Sequence, residues 1–529
     1  MASHERDSAL AEILQIAASR GLDPVHPPDV QHEAAGWARA PGIDDPSLVD
    51  LTHLPLCTID EQTSQDLDQA LYIEPRNGGH IVWYAIADAA WFVRPGRPLF
   101  REALRRGATY YLPGLVVTML PRVLCEDIVS LAPGEDRRAL VFEVHLDPDG
   151  RVLGSEVHRA RVRSRVKTWF SAVQDFLDGT AGVPGGDEAI AESLRALKVV
   201  GERRMEVAEE RHVVHLRRAE VAVEVGPAGL RFVAETDIRD DVERYNEQIS
   251  LLCNIEGARF LVRDGPTEDV VQAIYRVHQP PTPERLQQLA HTIHNLVKRH
   301  HLDPHTWDWK PSGQSLATYL ERLPHTSPEG RVARAIHRQA MLSNGRAAFT
   351  GKPGMHYGVG AEVYARFTAP MREIVGIFVH KETWEKLGDA PASENRSDEE
   401  VRAAVIEASN KAHDLQRQLD DQVNRLVLDQ LFADDLRKPQ GQRPERRGTV
   451  MGVQRDKVHV QLDDPPIDVK VYFHHLAAQD GPVRRTGDRL EVVREQGGAV
   501  VCRVGDAVRV RALGPDVERD RWTLALRGD

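Results

Sequence analysis

The sequence predicts an α+β fold that ends in a β-barrel, and three observations support this prediction. Apolar runs typical of buried strands alternate with helical patterns between residues 51 and 435. A longer helical pattern runs from Ser397 to Leu436, where Ser397 and Glu400 fit a capping box. Beyond a basic stretch that contains Pro and Gly, short β-rich segments fit a five-stranded barrel of about 80 residues.

The division of the chain follows from these patterns. The first 50 residues contain one amphipathic helical pattern, Glu5–Ser19, which ends at Arg20 and Gly21 and is followed by a Pro-rich stretch. The mixed core comes next, then a basic linker, then the barrel. The predicted units are residues 1–50, 51–435, 436–448 and 449–529.

The composition is that of an ordinary globular protein, with 41% hydrophobic and 28% charged residues. Lys and Arg number 68 against 80 Asp and Glu, and the resulting net charge of −12 argues against a protein that coats nucleic acid through a generally basic surface. No run of about 18 uncharged apolar residues occurs, and the N-terminal residues are too polar for a signal peptide. We therefore expect a cytoplasmic protein without a membrane partner, whose four separated cysteines are reduced and buried.

Three aspartates lie within nine residues of a loop between two predicted strands. They are Asp60, Asp66 and Asp68. Short polar side chains also crowd ordinary surface loops, where they bond the local backbone. Here, however, the flanking segments Leu51–Ile59 and His80–Val93 both have the pattern of buried strands, which fixes the loop between core elements. Carboxylates this close repel one another unless a cation lies between them, so the loop indicates a magnesium site.

The stretch TIDEQTSQDLDQAL, from Thr58 to Leu71, resembles the first signature of the RNase II/RNase R (RNB) family of processive 3'-to-5' exoribonucleases. Four further stretches resemble later RNB motifs in the family's order: Gly107–Arg137, Arg244–Leu261, Tyr275–Pro281 and His356–Glu373. The resemblance implies an RNB catalytic domain over residues 51–435 and an OB-fold RNA-binding domain over 449–529. The N-terminal segment is too short for the pair of cold-shock domains that such relatives usually carry.

The resemblance also implies a chemistry, which is the hydrolysis of RNA from a free 3' end to nucleoside 5'-monophosphates. The implied metal is Mg²⁺, with Mn²⁺ as the alternative ion, and its implied ligands are Asp60, Asp66, Asp68 and Gln69. Gln69 stands where familiar members have a fourth aspartate, and its amide oxygen brings no charge. Asp68 and Arg372 are the implied catalytic residues, because Arg372 matches the motif arginine that stabilises phosphate charge.

Several residues are candidates for RNA contact. Tyr111 aligns with an aromatic residue that stacks on the terminal base, and core packing by Tyr110 or Tyr111 is the alternative. In the segment from Arg159 to Lys167, basic residues alternate with smaller ones, which predicts a strand with a cationic face that either binds RNA or is merely solvated. The remaining candidates are Arg163, Arg165, Tyr275, Arg276, His278, Tyr472, Phe473 and Arg509. Of Tyr472 and Phe473, only one is expected to meet RNA.

Three functions fit the sequence to different degrees. The first is an active magnesium-dependent exoribonuclease that acts as a monomer. The second is a catalytically impaired RNA-binding or regulatory protein on an RNB scaffold, an idea that rests on Gln69, on Gln248 where a second Glu is usual, and on the short N-terminal segment. Glu373, where a basic residue is usual, also shifts local charge. The third is a metal-dependent phosphodiesterase for a small molecule, which leaves the C-terminal barrel unexplained.

Overall fold

Helices and strands occur together along the chain, which confirms the predicted α+β class. The structure is a computed structural model, and it describes residues 2–211, 221–226, 229–234, 240–262, 272–324, 329–388, 398–519 and 521–529. The helices are α1 (Ala2–Ser19), α2 (Pro28–Trp37), α3 (Ala89–Phe92), α4 (Pro98–Arg106), α5 (Phe170–Leu177), α6 (Glu188–Glu210), α7 (Asp241–Val262), α8 (Pro283–Arg299), α9 (Pro304–Trp307), α10 (Leu316–Glu321), α11 (Gly330–Ser343), α12 (Ile374–Lys386), α13 (Asp398–Arg437) and α14 (Phe473–Asp480). The strands are β1 (Val49–Asp50), β2 (Leu56–Asp60), β3 (Gln69–Arg76), β4 (Gly79–Ala87), β5 (Tyr110–Leu112), β6 (Leu115–Val117), β7 (Asp136–Leu146), β8 (Val152–Trp169), β9 (Val221–Gly226), β10 (Gly229–Ala234), β11 (Tyr275–Val277), β12 (Ala348–Thr350), β13 (Arg446–Val453), β14 (Lys457–Leu462), β15 (Asp468–Tyr472), β16 (Val483–Arg485), β17 (Glu491–Arg494), β18 (Val500–Arg503), β19 (Ala507–Asp516) and β20 (Arg521–Gly528).

A six-stranded sheet in the order β1-β8-β2-β3-β4-β7 forms the centre of the first half of the chain. Its long strand β8 pairs antiparallel with β7 along its first part and parallel with β2 along its last part, so the sheet closes on itself. The alternation in the sequence accounts for this strand, because Ala160 and Val162 are buried while Arg163 is exposed. The parallel pairing places Asp60, at the end of β2, beside Trp169 at the end of β8.

The N-terminal segment contains two helices where the sequence predicted one. Helix α2 begins at Pro28, inside the stretch that its prolines suggested was irregular. Proline is favoured at the first position of a helix, since that N–H has no intrahelical partner. Helix α1 buries Ala9, Ile13 and Ala17 in a core that it shares with α13 and with the β5–β6 and β9–β10 hairpins.

The C-terminal region is rich in strands, and the structure has more of them than the predicted five. A five-stranded antiparallel sheet has the order β15-β14-β13-β19-β20, and a three-stranded sheet β16-β17-β18 accompanies it. The hydrophobic core of these sheets extends to helices α8–α11, through residues such as Leu289 and Ile336. One core therefore crosses the predicted boundary at residue 435.

Helix α13 links these regions. It spans Asp398–Arg437 and packs against α1, α4, β5 and β19. The predicted helix is confirmed, although its expected capping residue Ser397 lies outside the described residues. Strand β13 begins at Arg446, so the segment between helix and strand is shorter than the predicted linker of residues 436–448. The four cysteines are buried and unpaired, and no described helix is long and apolar enough to span a membrane.

Candidate active site

The acidic loop between β2 and β3 is fixed at both ends by the closed sheet. At its start, Asp60 accepts hydrogen bonds from the Glu61 N–H (2.7 Å) and the Ser64 hydroxyl (3.0 Å). From the neighbouring strand β8, the Lys167 ammonium donates to the carbonyl oxygens of Gln62 (3.0 Å) and Ser64. The loop is thus tied between strands, but these strands differ from the predicted ones. Strand β2 covers only the end of Leu51–Ile59, the strand that follows the loop is β3, which was not predicted, and the segment His80–Val93 contains β4 and then helix α3.

Asp68 is the most buried acid of the loop, with only 1% of its surface exposed. One carboxylate oxygen accepts the Met371 backbone N–H (3.1 Å), and the other accepts the Arg372 Nε–H (2.6 Å). Burial raises the pKa of Asp68 to about 6, although the Arg372 guanidinium opposes this rise. The contact joins residues 304 positions apart in the chain, and it brings together the two residues that the sequence predicted to be catalytic.

Asp66 and Asp60 supply further carboxylate oxygens close to this pair. Burial raises the pKa of Asp66 and the Asp60 charge adds to the rise, while Arg372 lowers it. Two partly buried carboxylates that disfavour each other's charge form a set of hard oxygen ligands that a divalent cation would stabilise. The donor set therefore fits Mg²⁺ or Mn²⁺. Among the described residues, three groups of acids and histidines have ligand atoms within 4.8 Å of one another, and none of these groups includes Asp60, Asp66 or Asp68. The three carboxylates are therefore farther apart here than the ligands of a preformed metal site.

Arg372 is held by its backbone as well as by Asp68. Its carbonyl accepts the Thr109 N–H (2.8 Å), and its own N–H donates to the Ala369 carbonyl (3.1 Å) in a tight turn. The Asp68 carboxylate raises the pKa of Arg372 well above its ordinary value, so the guanidinium is permanently charged. These contacts fix a cation next to the acidic loop.

Asn254, on α7, organises the segment that leads to Arg372, and the sequence analysis did not single it out. Its Oδ1 accepts the Phe367 N–H (2.7 Å) and the Thr368 N–H (3.3 Å), and the side chain is fully buried. One turn later, Gly257 makes room for the Phe367 ring, which would lie 2.5 Å from a Cβ at that position. A buried polar residue within an apolar helical face is the only signal that could have indicated this role.

The predicted metal ligand Gln69 has other partners in the structure. Its amide oxygen accepts hydrogen bonds from the Tyr84 hydroxyl and the Ser250 hydroxyl (3.3 Å), and its amide nitrogen donates to the Thr368 carbonyl. Both lone pairs of the carbonyl oxygen are thus occupied. The Gln69 side chain also points to the opposite side of the chain from its neighbour Asp68. Gln69 thus ties β3 to α7 and to the Arg372 segment, and metal binding by Gln69 stays a prediction that requires its amide oxygen to exchange these partners.

Tyr111 and Tyr110 divide the two roles that the sequence left open. Tyr110 is 1% exposed, and its hydroxyl donates to the Arg106 carbonyl (2.6 Å), which makes it a core residue. Tyr111 is 48% exposed; burial of its hydroxyl raises the pKa of Tyr111, and the nearby Arg372 guanidinium opposes this rise. Beside it lies a cavity of about 250 Å³, whose lining includes Phe349, Arg372 and Glu373. Of the residues of the acidic site, Arg372 lines this cavity.

A larger groove of about 1050 Å³ continues from Tyr111 towards the C-terminal sheets. It lies between α13, the β9–β10 hairpin and the strands β14, β15 and β20. Tyr472 lines it and lies under the Arg521 guanidinium, 3.7 Å from the ring centre. Phe473 packs against the hydrophobic core instead. The structure therefore separates these two aromatics, and Tyr472 is the one that faces the groove.

Three further RNA candidates have structural roles. Tyr275 is only 5% exposed and belongs to the main core. His278 uses both ring nitrogens, because Nε2 contacts the Gly345 carbonyl (3.0 Å) and Nδ1 accepts the Gly358 N–H (3.1 Å). Arg276 is largely buried, lies over the Phe349 ring, and has its pKa lowered by that burial. The structure gives Tyr275 and His278 packing roles, and RNA contact by them stays a prediction.

The cationic face of β8 is neutralised by the protein itself. Arg163 donates to Asp136 (2.7 Å), and Arg165 donates to Asp187 (2.8 Å). In the C-terminal sheet, Arg509 likewise donates to Asp529 (2.7 Å). Since each guanidinium already has a carboxylate partner, the solvated-face alternative describes these residues better than the predicted RNA contact.

Known proteins resemble this chain in sequence and in fold. A family model described as "RNB domain" matches residues 48–389. Ribonuclease R of Vibrio cholerae serotype O1 is 28% identical over 502 residues, which cover 93% of this chain and 58% of the relative, so the chain spans less than two thirds of that relative's length. The solved structure "Mycoplasma genitalium RNase R in complex with ribose methylated single-stranded RNA" has a TM-score of 0.84 at 20% identity, covering 98% of this chain and 78% of that one. Yeast Ssd1, described as a pseudonuclease, has a TM-score of 0.61 at 17% identity, covering 90% of this chain and 54% of that one.

Proposed function

This chain belongs to the RNB domain family, and from that premise we propose that it is a metal-dependent exoribonuclease that degrades RNA processively from a free 3' end to nucleoside 5'-monophosphates. The observation that carries the proposal is the contact between Asp68 and Arg372 beside Asp66 and Asp60. Phosphodiester hydrolysis requires a cation next to several carboxylates, and these residues supply both.

Asp60, Asp66 and Asp68 are the proposed ligands of Mg²⁺ or Mn²⁺. Each oxygen of Asp68 accepts one hydrogen bond and keeps a second lone pair, so its present contacts leave it able to serve as a ligand. When bound, the metal would supply Lewis acidity to activate water and positive charge to neutralise the scissile phosphate. The chain's own contribution is to hold these carboxylates in a partly buried loop that the sheet keeps in place.

Arg372 has the part of charge stabiliser in this proposal. A guanidinium offers five N–H donors, and only its Nε–H is directed to Asp68. The other donors are available to Tyr111 and to a phosphate oxygen, where a planar fork binds more strongly than an ammonium. Because Asp68 orients the fork, the arginine pays little reorganisation cost when negative charge develops on the phosphate.

Tyr111 is the proposed stacking surface for the base nearest the 3' end. Its exposed ring lies where the groove meets the small cavity, next to Arg372. Base stacking on an aromatic ring contributes about 1–3 kcal/mol per base without regard to sequence. A strand in the groove would therefore be held at its end while its terminal phosphodiester lies at the acidic site.

The test is a degradation assay on 5'-labelled RNA with Mg²⁺ or Mn²⁺. We expect the wild-type protein to shorten the RNA progressively, and we expect Asp68→Asn to slow this by at least about 100-fold while RNA binding persists. Asp136→Asn is the matched control, because Asp136 pairs with Arg163 away from the site. If no RNA is shortened at any concentration of either metal, the proposal is wrong.

A second candidate is an RNA-binding protein that has lost catalysis. The observation in its favour is Gln69, whose amide is built into a hydrogen-bond network with Tyr84, Ser250 and Thr368. It predicts RNA binding without cleavage in the wild type. Gln69→Asp then separates the candidates by turnover, because a decayed enzyme would gain turnover from a restored carboxylate, whereas the rate of an active enzyme would change only modestly.

A further inference from the structure

Gln416, on α13, brackets the backbone of Tyr111. Its Oε1 accepts the Tyr111 N–H (3.3 Å), and its Nε2 donates to the Tyr111 carbonyl (3.1 Å). The two residues are 305 positions apart in the chain. A single side-chain amide thus takes the place that a neighbouring strand would occupy along the free edge of β5.

This bracket fixes the backbone that carries the Tyr111 ring. On its other edge β5 pairs with the three-residue strand β6, where Tyr111 lies opposite Val116. Tyr111 is 48% exposed, in contrast to the buried Tyr110. The direction of the exposed ring therefore depends on how firmly its backbone is fixed.

The orientation of the Gln416 amide is fixed in turn. Its Nε2 donates a second hydrogen bond to Asp420 Oδ1 (2.8 Å), one turn further along α13. If the amide flipped, its oxygen would face two acceptors, the Tyr111 carbonyl and the Asp420 carboxylate. Asp420 therefore selects the amide orientation that fits the Tyr111 backbone.

Tyr111 and Gln416 also share a position in the molecule. Among the described residues, they alone line both the groove of about 1050 Å³ and the cavity of about 250 Å³ beside Arg372. A polynucleotide that ran from the groove into the cavity would contact this pair. The bracket is thus located where the position of one ring would decide how the end of a strand is held.

We propose that Gln416 is a positioning residue that sets the Tyr111 ring for stacking on the terminal part of an RNA strand. The inference rests on the proposed function, because it concerns the same site. Short oligoribonucleotides depend most on it, since they reach the ring and little of the groove. Long RNA, which also contacts the groove, depends on it less.

The test substitutes Gln416→Met, which keeps the length and helix propensity of the side chain and removes both hydrogen bonds to Tyr111. For short oligoribonucleotides we expect KM to rise about three- to tenfold with kcat unchanged, as expected for the loss of one or two hydrogen bonds. The end product should also become longer. Gln418→Met, an exposed neighbour on the same helix, is the matched control and should behave as wild type.

The decisive measurement repeats Gln416→Met in a Tyr111→Ala background. If Gln416 acts through the ring, it has no further effect there, so the two substitutions are not additive. An unchanged KM for Gln416→Met alone, or the same loss of affinity with and without the Tyr111 ring, would overturn the inference. Failure of the wild type to cleave RNA would instead overturn the proposed function, and anisotropy measurements of short-RNA binding would still test the bracket.

Discussion

Two highly charged parts of the same sheet differ in what surrounds their charges. On strand β8, three exposed or half-buried arginines each contact an aspartate of the protein; the pairs are Arg161 with Asp50, Arg163 with Asp136, and Arg165 with Asp187. In the loop after β2, Asp60 and Asp66 lie close to each other, the nearby Arg372 is already held by Asp68, and Lys167 donates to loop carbonyls rather than to a carboxylate. The comparison teaches that a run of charge indicates a functional site where the fold leaves that charge uncompensated, and indicates little where each charge has its own partner.

The largest effect that this comparison predicts concerns Arg372. Replacing it by lysine keeps the charge and removes the planar fork, so we expect kcat for RNA cleavage to fall about 100-fold with a smaller change in RNA affinity. Single-turnover kinetics on 5'-labelled RNA would measure this. Arg163→Lys, the same substitution in a compensated pair, should leave the rate within about twofold, and equal effects of the two would break the comparison.

A smaller effect concerns the stability of the metal-free protein. Because burial and Asp60 raise the pKa of Asp66, its ionised form destabilises the fold at neutral pH. We expect Asp66→Asn to increase the free energy of unfolding in EDTA by about 1 kcal/mol, measured by urea denaturation.

The metal response sharpens the same prediction. Mg²⁺ should stabilise the wild type, by about 1.4 kcal/mol at ten times its dissociation constant, and should stabilise Asp66→Asn much less. Asp136→Asn, which breaks a compensated pair, should lower stability slightly with or without metal. Equal stabilisation of wild type and Asp66→Asn by Mg²⁺ would show that the loop does not bind the ion through Asp66.

The smallest effect is expected for the arginines of β8. The double substitution Arg163→Gln and Arg165→Gln should change the dissociation constant for single-stranded RNA by less than about twofold, because both side chains already contact carboxylates. Lys470→Gln, in the lining of the groove, should weaken binding about threefold and reduce its salt dependence. A loss at β8 that exceeds the loss at Lys470 would restore the strand as an RNA-binding surface.

The sequence was sufficient for features that depend on local pattern. The apolar runs Leu51–Ile59 and His80–Val93 predicted buried strands, and each contains one, β2 and β4, whereas the more polar strand β3 between them was missed. The long helix before the C-terminal sheets followed from its 3.6-residue spacing, and the structure places it over Asp398–Arg437. Helix α2 was not predicted, because in the sequence a proline at the first position of a helix cannot be distinguished from a proline in a loop.

Features that depend on distant partners could not be predicted. The fate of Gln69 depends on Tyr84, Ser250 and Thr368, which come from three other parts of the chain. The alternating arginines predicted strand β8 correctly but left open whether they bind RNA or are solvated. Their pairing with aspartates such as Asp187, which is distant from them in the sequence, favours the solvated alternative. A local pattern reports which face of an element is buried, whereas a side-chain hydrogen bond across the fold leaves no periodic trace.

The separation of 304 positions between Asp68 and Arg372 has a consequence for biosynthesis. The ribosome synthesises the acidic loop early and adds Arg372 only after most of the polypeptide has been made. For much of translation the nascent chain therefore contains the carboxylates of the site without their arginine. A product terminated before the Arg372 codon keeps its carboxylates and can never complete them. Whatever reaction the finished protein performs, its own messenger has been read past that codon before the reaction can begin.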